Sequence, residues 1–144
     1  MRVVSAGDDV TMKHKWILGL LLASLPLSVS VENLMDAPYV FLTGFSRHEL
    51  EEMATMPGPE LENRIGLSEA PGGFSGENAI KGRAVHAIAS YLGTRRWGPD
   101  VTLAFGYMRE YVPWLLRGKE ADPGDIAANY AGVAEALREA ESRP

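Results

Sequence analysis

The chain of 144 residues contains no cysteine. This absence excludes disulfide bonds, a thiolate nucleophile, a cysteine-ligated zinc site and a lipid-modified cysteine anchor. The sequence also lacks any Asn-X-Ser/Thr acceptor for N-linked glycosylation. The fold must therefore be held together by packing of side chains alone.

Positive charge is scarce, since 14 Lys and Arg stand against 19 Asp and Glu, for a formal net charge of −5. Nucleic-acid binding requires positive potential over a face of the protein, so we do not expect nucleic acid as a partner. The bases are concentrated in the centre, where residues 81–119 hold 7 bases and 2 acids. We interpret this as chain segments of opposite charge that face one another in the fold.

No complete catalytic motif occurs. The phosphate-binding loop Gly-X-X-X-X-Gly-Lys-Ser/Thr is missing, and the nearest match to the Gly-X-Ser-X-Gly elbow, at residues 66–70, has alanine in place of the second glycine. We therefore predict no catalytic residue and no cofactor. The alternative is a small secreted hydrolase that uses Ser68 with His48 or His86 as its base.

One pair of residues has the spacing of metal ligands. His48 and Glu52 are one helical turn apart. The zinc-peptidase motif His-Glu-X-X-His would need histidine at position 52, so the motif is incomplete. We predict no metal site, with His48 and Glu52 as the candidates for the alternative of a metal-dependent enzyme.

The most informative feature that is present is a pattern typical of an export signal. Residues 13–15 (Lys-His-Lys) precede an apolar run at 16–27, and residues 28–30 (Ser-Val-Ser) supply small side chains before a cleavage point. An exported protein without disulfides suits a bacterial periplasm better than an animal secretion. We therefore expect a periplasmic or secreted protein.

The same segment sets the domain organisation. We predict that translation starts at Met12 and that cleavage follows Ser30, so that residues 1–30 comprise an N-terminal extension plus the signal peptide. Residues 31–144 then form a single mature domain, a length that suits one hydrophobic core. The alternative is an uncleaved anchor at residues 16–31, shorter than the ~20 residues that usually span a bilayer.

The mature part shows mostly helical signals, which predict a mainly α domain with about four helices and one or two short strands. Ser46 and Glu49 have the spacing of a capping box, which predicts a helix over residues 47–56. Asp122 followed by Pro123 predicts the start of a helix that continues to the C-terminus. Its inward face is expected to contain Ile126, Tyr130, Val133, Leu137 and Ala140.

The remaining segments are less uniform. A helix is predicted from Glu77 to a cap at Gly93, then a turn at 94–99, then a helix with Asp100 as N-cap. Residues 39–43 (Tyr-Val-Phe-Leu-Thr) predict a buried strand, and a helical turn is expected at 60–65. Residues 83–92 also alternate enough to form a strand, so a small α/β domain remains an alternative.

Cationic and aromatic side chains occur together near the middle of the chain. Arg95, Arg96, Trp97 and Arg109 combine groups that could hold an anionic polymer or a partner protein. We therefore expect an exported bacterial envelope protein with a binding, inhibitory or accessory role toward a protein or envelope partner. A membrane-anchored accessory subunit, with the membrane contacted only through the N-terminal segment, is a further alternative.

Overall fold

The computed structural model of the protein describes residues 31–74 and 81–144. Within these ranges the chain forms six α-helices and one short 3-10 helix, with no strand. The elements are α1 (Val31–Thr43), α2 (Arg47–Thr55), α3 (Gly58–Ile65), the 3-10 helix (Pro71–Gly73), α4 (Lys81–Trp97), α5 (Pro99–Arg117) and α6 (Pro123–Ser142). The mainly α prediction is confirmed for these residues, and the α/β alternative is wrong. The predicted signal peptide lies outside the described residues.

The predicted start of α2 is confirmed. Ser46 Oγ accepts a hydrogen bond from the backbone N–H of Glu49 at 3.3 Å, and Glu49 Oε2 accepts one from the backbone N–H of Ser46 at 2.8 Å. These reciprocal bonds satisfy N–H groups that the first turn of a helix leaves without partners. The helix then buries Leu50 and Met53 completely.

The strand predicted at residues 39–43 is wrong, because this segment forms the last turns of α1. Tyr39 and Leu42 are buried, whereas Val40 and Phe41 between them are 50% and 45% exposed. A strand would bury every second residue, but a buried pair three residues apart belongs to one face of a helix. Because all the residues of this segment except Thr43 are apolar, its composition fits both the two-residue period of a strand and the 3.6-residue period of a helix.

Helix α4 extends beyond its predicted end at Gly93, and the strand alternative for residues 83–92 is wrong. The helix continues through Gly93, which is buried and leaves little room for a side chain: a Cβ there would lie 3.1 Å from Thr102 Oγ1 and 3.3 Å from Leu42 Cδ2. Gly93 therefore allows α5 and α1 to approach α4 closely. The helix ends only at Trp97.

The connection between α4 and α5 is a single residue. Gly98 has a φ of 86°, in the left-handed region that favours glycine, and Pro99 is the first residue of α5. The predicted N-cap Asp100 is thus the second residue of the helix. The predicted turn at 94–99 shrinks to Gly98 because Thr94 to Trp97 remain helical.

The start of α6 is confirmed, whereas its predicted inward face is right for Val133 and wrong for Tyr130 and Leu137. Asp122 Oδ1 accepts from the backbone N–H of Gly124 at 2.7 Å. Tyr130 and Leu137 are 47% and 43% exposed. The buried residues of α6 are Ala128, Asn129, Gly132, Val133 and Ala136. Mostly small residues line this face because α6 packs very closely on α4.

Helix α4 is the centre of the domain, since every residue from Ala84 to Tyr91 is buried. Helices α1, α2, α5 and α6 and the 3-10 helix pack against it. The buried apolar cluster consists of Tyr39, Leu50, Met53, Leu61, Ile65, Ala70, Ala84, Val85, Ile88 and Ala89. None of the described helices combines the length and apolar character needed to cross a membrane.

Candidate metal centre

Three titratable side chains from three helices meet inside the domain. His86 lies in the buried centre of α4, Glu110 in the middle of α5, and Asp125 in the first turn of α6. His86 Nε2 is 3.4 Å from Glu110 Oε1 and 3.6 Å from Asp125 Oδ2. The side chains of His86 and Glu110 are only 7% and 11% exposed, and that of Asp125 is 22% exposed. Asp125 is therefore the most accessible member of the cluster.

Two spacings in this cluster are close to those between the ligands of a zinc ion. One ligand atom from each residue can be chosen so that all three lie within 4.8 Å of one another. In a tetrahedral zinc site with bonds of about 2.0–2.2 Å, two ligand atoms lie about 3.3–3.5 Å apart. The two distances from Nε2 are close to this value. Imidazole and carboxylate are both common zinc ligands.

The second ring nitrogen of His86 has a buried polar partner. His86 Nδ1 is 3.0 Å from Asn129 Oδ1, and the same oxygen accepts a hydrogen bond from Ser90 Oγ at 3.0 Å. Ser90 lies one turn after His86 on α4, and Asn129 lies one turn after Asp125 on α6. A histidine that ligates a metal usually has its other ring nitrogen held by such a partner.

The two carboxylates are also held in place. Glu110 Oε2 accepts from the backbone N–H of Asp122 at 3.3 Å, which leaves its other oxygen facing His86. Asp125 lies at the positive end of the α6 dipole, where a negative charge is favoured. The guanidinium of Arg83 lies 3.7 Å from Asp122 Oδ1, beside the same helix start.

Tyr39 of α1 completes the surroundings of His86. The two rings meet edge to face, with centroids 6.2 Å apart, and the guanidinium of Arg109 lies 5.2 Å from the Tyr39 ring centroid. Burial raises the pKa of the Tyr39 hydroxyl, although the neighbouring Arg109 opposes this shift. Tyr39 is thus a neutral group beside the His86 ring.

The residues predicted to form a partner surface make different contacts in the structure. Arg109 packs on Tyr39, and Arg95 donates to the Tyr91 hydroxyl oxygen at 3.1 Å. Arg96 and Trp97 stay together at the end of α4, where the guanidinium of Arg96 lies 5.2 Å from the Trp97 ring centroid.

The metal-ligand candidates predicted from spacing lie on the surface of α2. His48 Nε2 is 3.3 Å from Glu52 Oε1, but the two side chains are 80% and 51% exposed. Among the residues the structure describes, only the His86 cluster brings together three groups able to ligate one ion. Ser68, the predicted alternative nucleophile, is exposed in the loop after α3.

Sequence reasoning singled out His86 only as a possible base and passed over Glu110, Asp125 and Asn129 as site residues. Asp125 was interpreted only as a helix-start acid. A signal was nevertheless present, because Asp125 and Asn129 have the spacing of one helix face, as do His86 and Ser90. Two polar pairs on otherwise apolar faces indicate partners across a helix interface.

Comparisons of the chain with protein-family models, with curated proteins and with solved structures found no match.

Proposed function

We propose that this protein binds a divalent transition-metal ion of the zinc class through His86, Glu110 and Asp125. The observation that carries the proposal is the meeting of a buried imidazole nitrogen with two carboxylates at 3.4 and 3.6 Å. Two carboxylates facing one imidazole would be costly to bury without a cation between them. A bound divalent ion neutralises both negative charges.

The ligands come from α4, α5 and α6, so the ion would tie together the three longest helices. Binding would therefore stabilise the folded state, because the unfolded chain does not hold the three groups together. Three protein ligands leave one position of a tetrahedral site for water or a small external ligand.

The rival interpretation is an ion-pair network in which a protonated His86 neutralises one carboxylate without any metal.

Zinc titration of the metal-stripped full-length protein separates these interpretations. We expect one equivalent to bind, and we expect the near-isosteric variants Glu110→Gln and Asp125→Asn each to weaken binding by more than about 100-fold, beyond the loss typical of an outer-shell change. Glu52→Gln is the matched control, because it removes a carboxylate that also faces a histidine but lies on the surface. Circular dichroism checks that each variant is folded.

Two results would contradict the proposal. One is wild-type protein that takes up no zinc, cobalt or manganese after purification without chelators. The other is stoichiometric binding that survives in the Glu110→Gln and Asp125→Asn variants. Loss of binding in Glu52→Gln alone would move the site to α2.

A binding surface at the end of α4 is a second candidate function, and it is supported by an exposed aromatic stack. Trp97 is 42% exposed and stacks on Phe41 with ring centroids 4.8 Å apart, and Phe41 stacks on Phe105 at 4.7 Å. Arg96 adds a cation beside Trp97. Exposed aromatic and arginine side chains are typical of the residues that dominate protein interfaces.

A photo-crosslinking residue placed at position 97 tests this surface in living cells. We expect a discrete adduct that is lost in Arg96→Glu, whereas the same probe at the comparably exposed Tyr130 gives none. Equal labelling from both positions would contradict a specific surface at the end of α4.

We also propose that the protein is exported, and this localisation rests on residues 12–30. The basic start, apolar run and small residues of that segment support export. N-terminal sequencing of the protein from the fraction where it accumulates tests this directly. A first residue of Val31 is expected, and recovery of an intact N-terminus from the cytoplasm would contradict it.

A further inference from the structure

We propose that Asn129 is a positioning residue that holds His86 in the Nδ1–H tautomer and so directs the lone pair of Nε2 at the metal position. This inference rests on the proposed metal-binding function. Asn129 is buried and reaches His86 across the α4–α6 interface. Metal binding then requires more than the three ligand side chains. Nε2 of His86, and not Nδ1, must be the ring nitrogen that gives up its proton to the metal ion.

The first argument is the hydrogen bond at Nδ1. Asn129 Oδ1 lies 3.0 Å from His86 Nδ1, within the ordinary range of an N–H···O bond. An amide oxygen can only accept, and it also accepts from Ser90 Oγ at 3.0 Å. The proton shared with Asn129 must therefore be on Nδ1.

The second argument is the geometry at the other ring nitrogen. His86 Nε2 is 3.4 Å from Glu110 and 3.6 Å from Asp125, longer than a charge-assisted N–H···O bond of about 2.7–2.9 Å. Nε2 therefore faces the space between the two carboxylates, which is the position of the proposed ion, and its lone pair serves as the ligand once the ion takes the place of a proton.

The third argument is the close fit around Asn129. A Cβ added at Gly106 of α5 would lie 2.9 Å from Asn129 Nδ2, so the α5 backbone closes directly over the amide. The amide is thus held from three helices, with Ser90 and His86 on α4, its own backbone on α6 and Gly106 on α5. A side chain held in this way can impose an orientation on the imidazole.

The test combines zinc affinity with nitrogen NMR of the histidine rings in the full-length protein. Asn129→Leu removes the acceptor at nearly constant size, and we expect about 10- to 100-fold weaker zinc binding. Asn129→Asp keeps the acceptor and adds charge, so we expect tighter binding. Ser90→Ala is the matched control, because it removes the other partner of Oδ1 and should change zinc affinity far less than Asn129→Leu.

The NMR measurement decides the tautomer in the metal-free protein near pH 8. We expect the His86 signal of a protonated Nδ1 in the wild type and in Asn129→Asp, and a mixture of tautomers in Asn129→Leu. A wild-type His86 whose Nδ1 carries no proton, or equal zinc affinity in folded Asn129→Leu and wild type, would overturn the inference. If Asn129→Leu does not fold, Asn129→Asp still decides: tighter zinc binding supports the inference, and unchanged binding overturns it.

These outcomes separate the inference from the proposed function. Wild-type protein that binds no zinc refutes the metal site, whereas the ring signals still show whether Asn129 sets the tautomer. Wild-type protein that binds zinc with no response to Asn129→Asp or Asn129→Leu keeps the metal site and refutes the role of Asn129.

Discussion

The substitution Gly132→Ala should destabilise the protein, although alanine is the better helix former. Gly132 lies in the interior of α6 and is buried against α4. A Cβ there would overlap the carbonyl oxygen of Ala87 and lie 2.8 Å from both Ser90 Cβ and Tyr91 N. Two of these three atoms belong to the α4 backbone, which cannot rotate out of the way. The added methyl group must therefore push the two helices apart.

The magnitude follows from two opposing effects. Helix propensity favours alanine over glycine by about 1 kcal/mol. Overpacking a well-packed interface costs about 1–3 kcal/mol, and contact with backbone atoms puts this site at the upper end. The expected net loss is about 2 kcal/mol in the free energy of unfolding. For a domain of this size that corresponds to a fall in Tm of roughly 8 °C.

Urea denaturation followed by circular dichroism measures this loss, with an unchanged m-value expected because the surface exposed on unfolding is the same. Gly82→Ala is the matched control: Gly82 also lies in a helix, but a Cβ there would meet nothing closer than Asp125 Oδ1 at 4.0 Å. Gly82→Ala should be neutral or stabilising. A Gly132→Ala protein more stable than the wild type would refute the close α4–α6 packing on which the position of Asn129 depends.

Three further results are expected. Zinc at 100 times its dissociation constant should raise the free energy of unfolding by about 2.7 kcal/mol, and an unchanged Tm in differential scanning calorimetry would contradict binding to the folded state. A hydrogen bond from Tyr91 lowers the pKa of Glu139 from its usual 4.5, so its stabilisation is present above that pH and is lost as pH falls through the folded-state value. In urea titrations the difference between wild type and Glu139→Gln should therefore shrink below about pH 4.5, and a constant difference would refute the linkage. Ser46→Ala should cost about 1 kcal/mol in the same assay through loss of the α2 cap, whereas Ser68→Ala in an exposed loop should cost nothing measurable.

Helix starts were the part of the fold that sequence reasoning predicted best. The Ser46–Glu49 capping box and the Asp122 cap are both present, because each depends on residues only two or three apart. The predicted end of α4 at Gly93 failed for a corresponding reason. A glycine is suited both to ending a helix and to close helix contact, and only the position of Thr102 decides between the two.

The candidate metal centre could not be predicted from sequence patterns within single helices. His48 and Glu52 attracted attention because their spacing is visible in one helix, yet both are exposed. Glu110 and Asp125 show no mutual spacing that points to a shared site, since each lies on a different helix from His86. Local patterns could not predict the aromatic stack either, because Phe41 meets Trp97 only when α1 lies across the end of α4.

The sequence by itself determined the helical character of the domain, the residues that begin α2 and α6, and the absence of any disulfide. These properties depend on the chemistry of single residues and of neighbours within one turn. The tertiary structure decided which faces are buried and which side chains share a site. The buried face of α6 consists mostly of small residues, which let α6 approach α4 closely, whereas Tyr130 and Leu137 lie outside this face and stay exposed. That same close approach places Asn129 and Asp125 beside His86, and thus the packing of small residues creates the candidate metal centre.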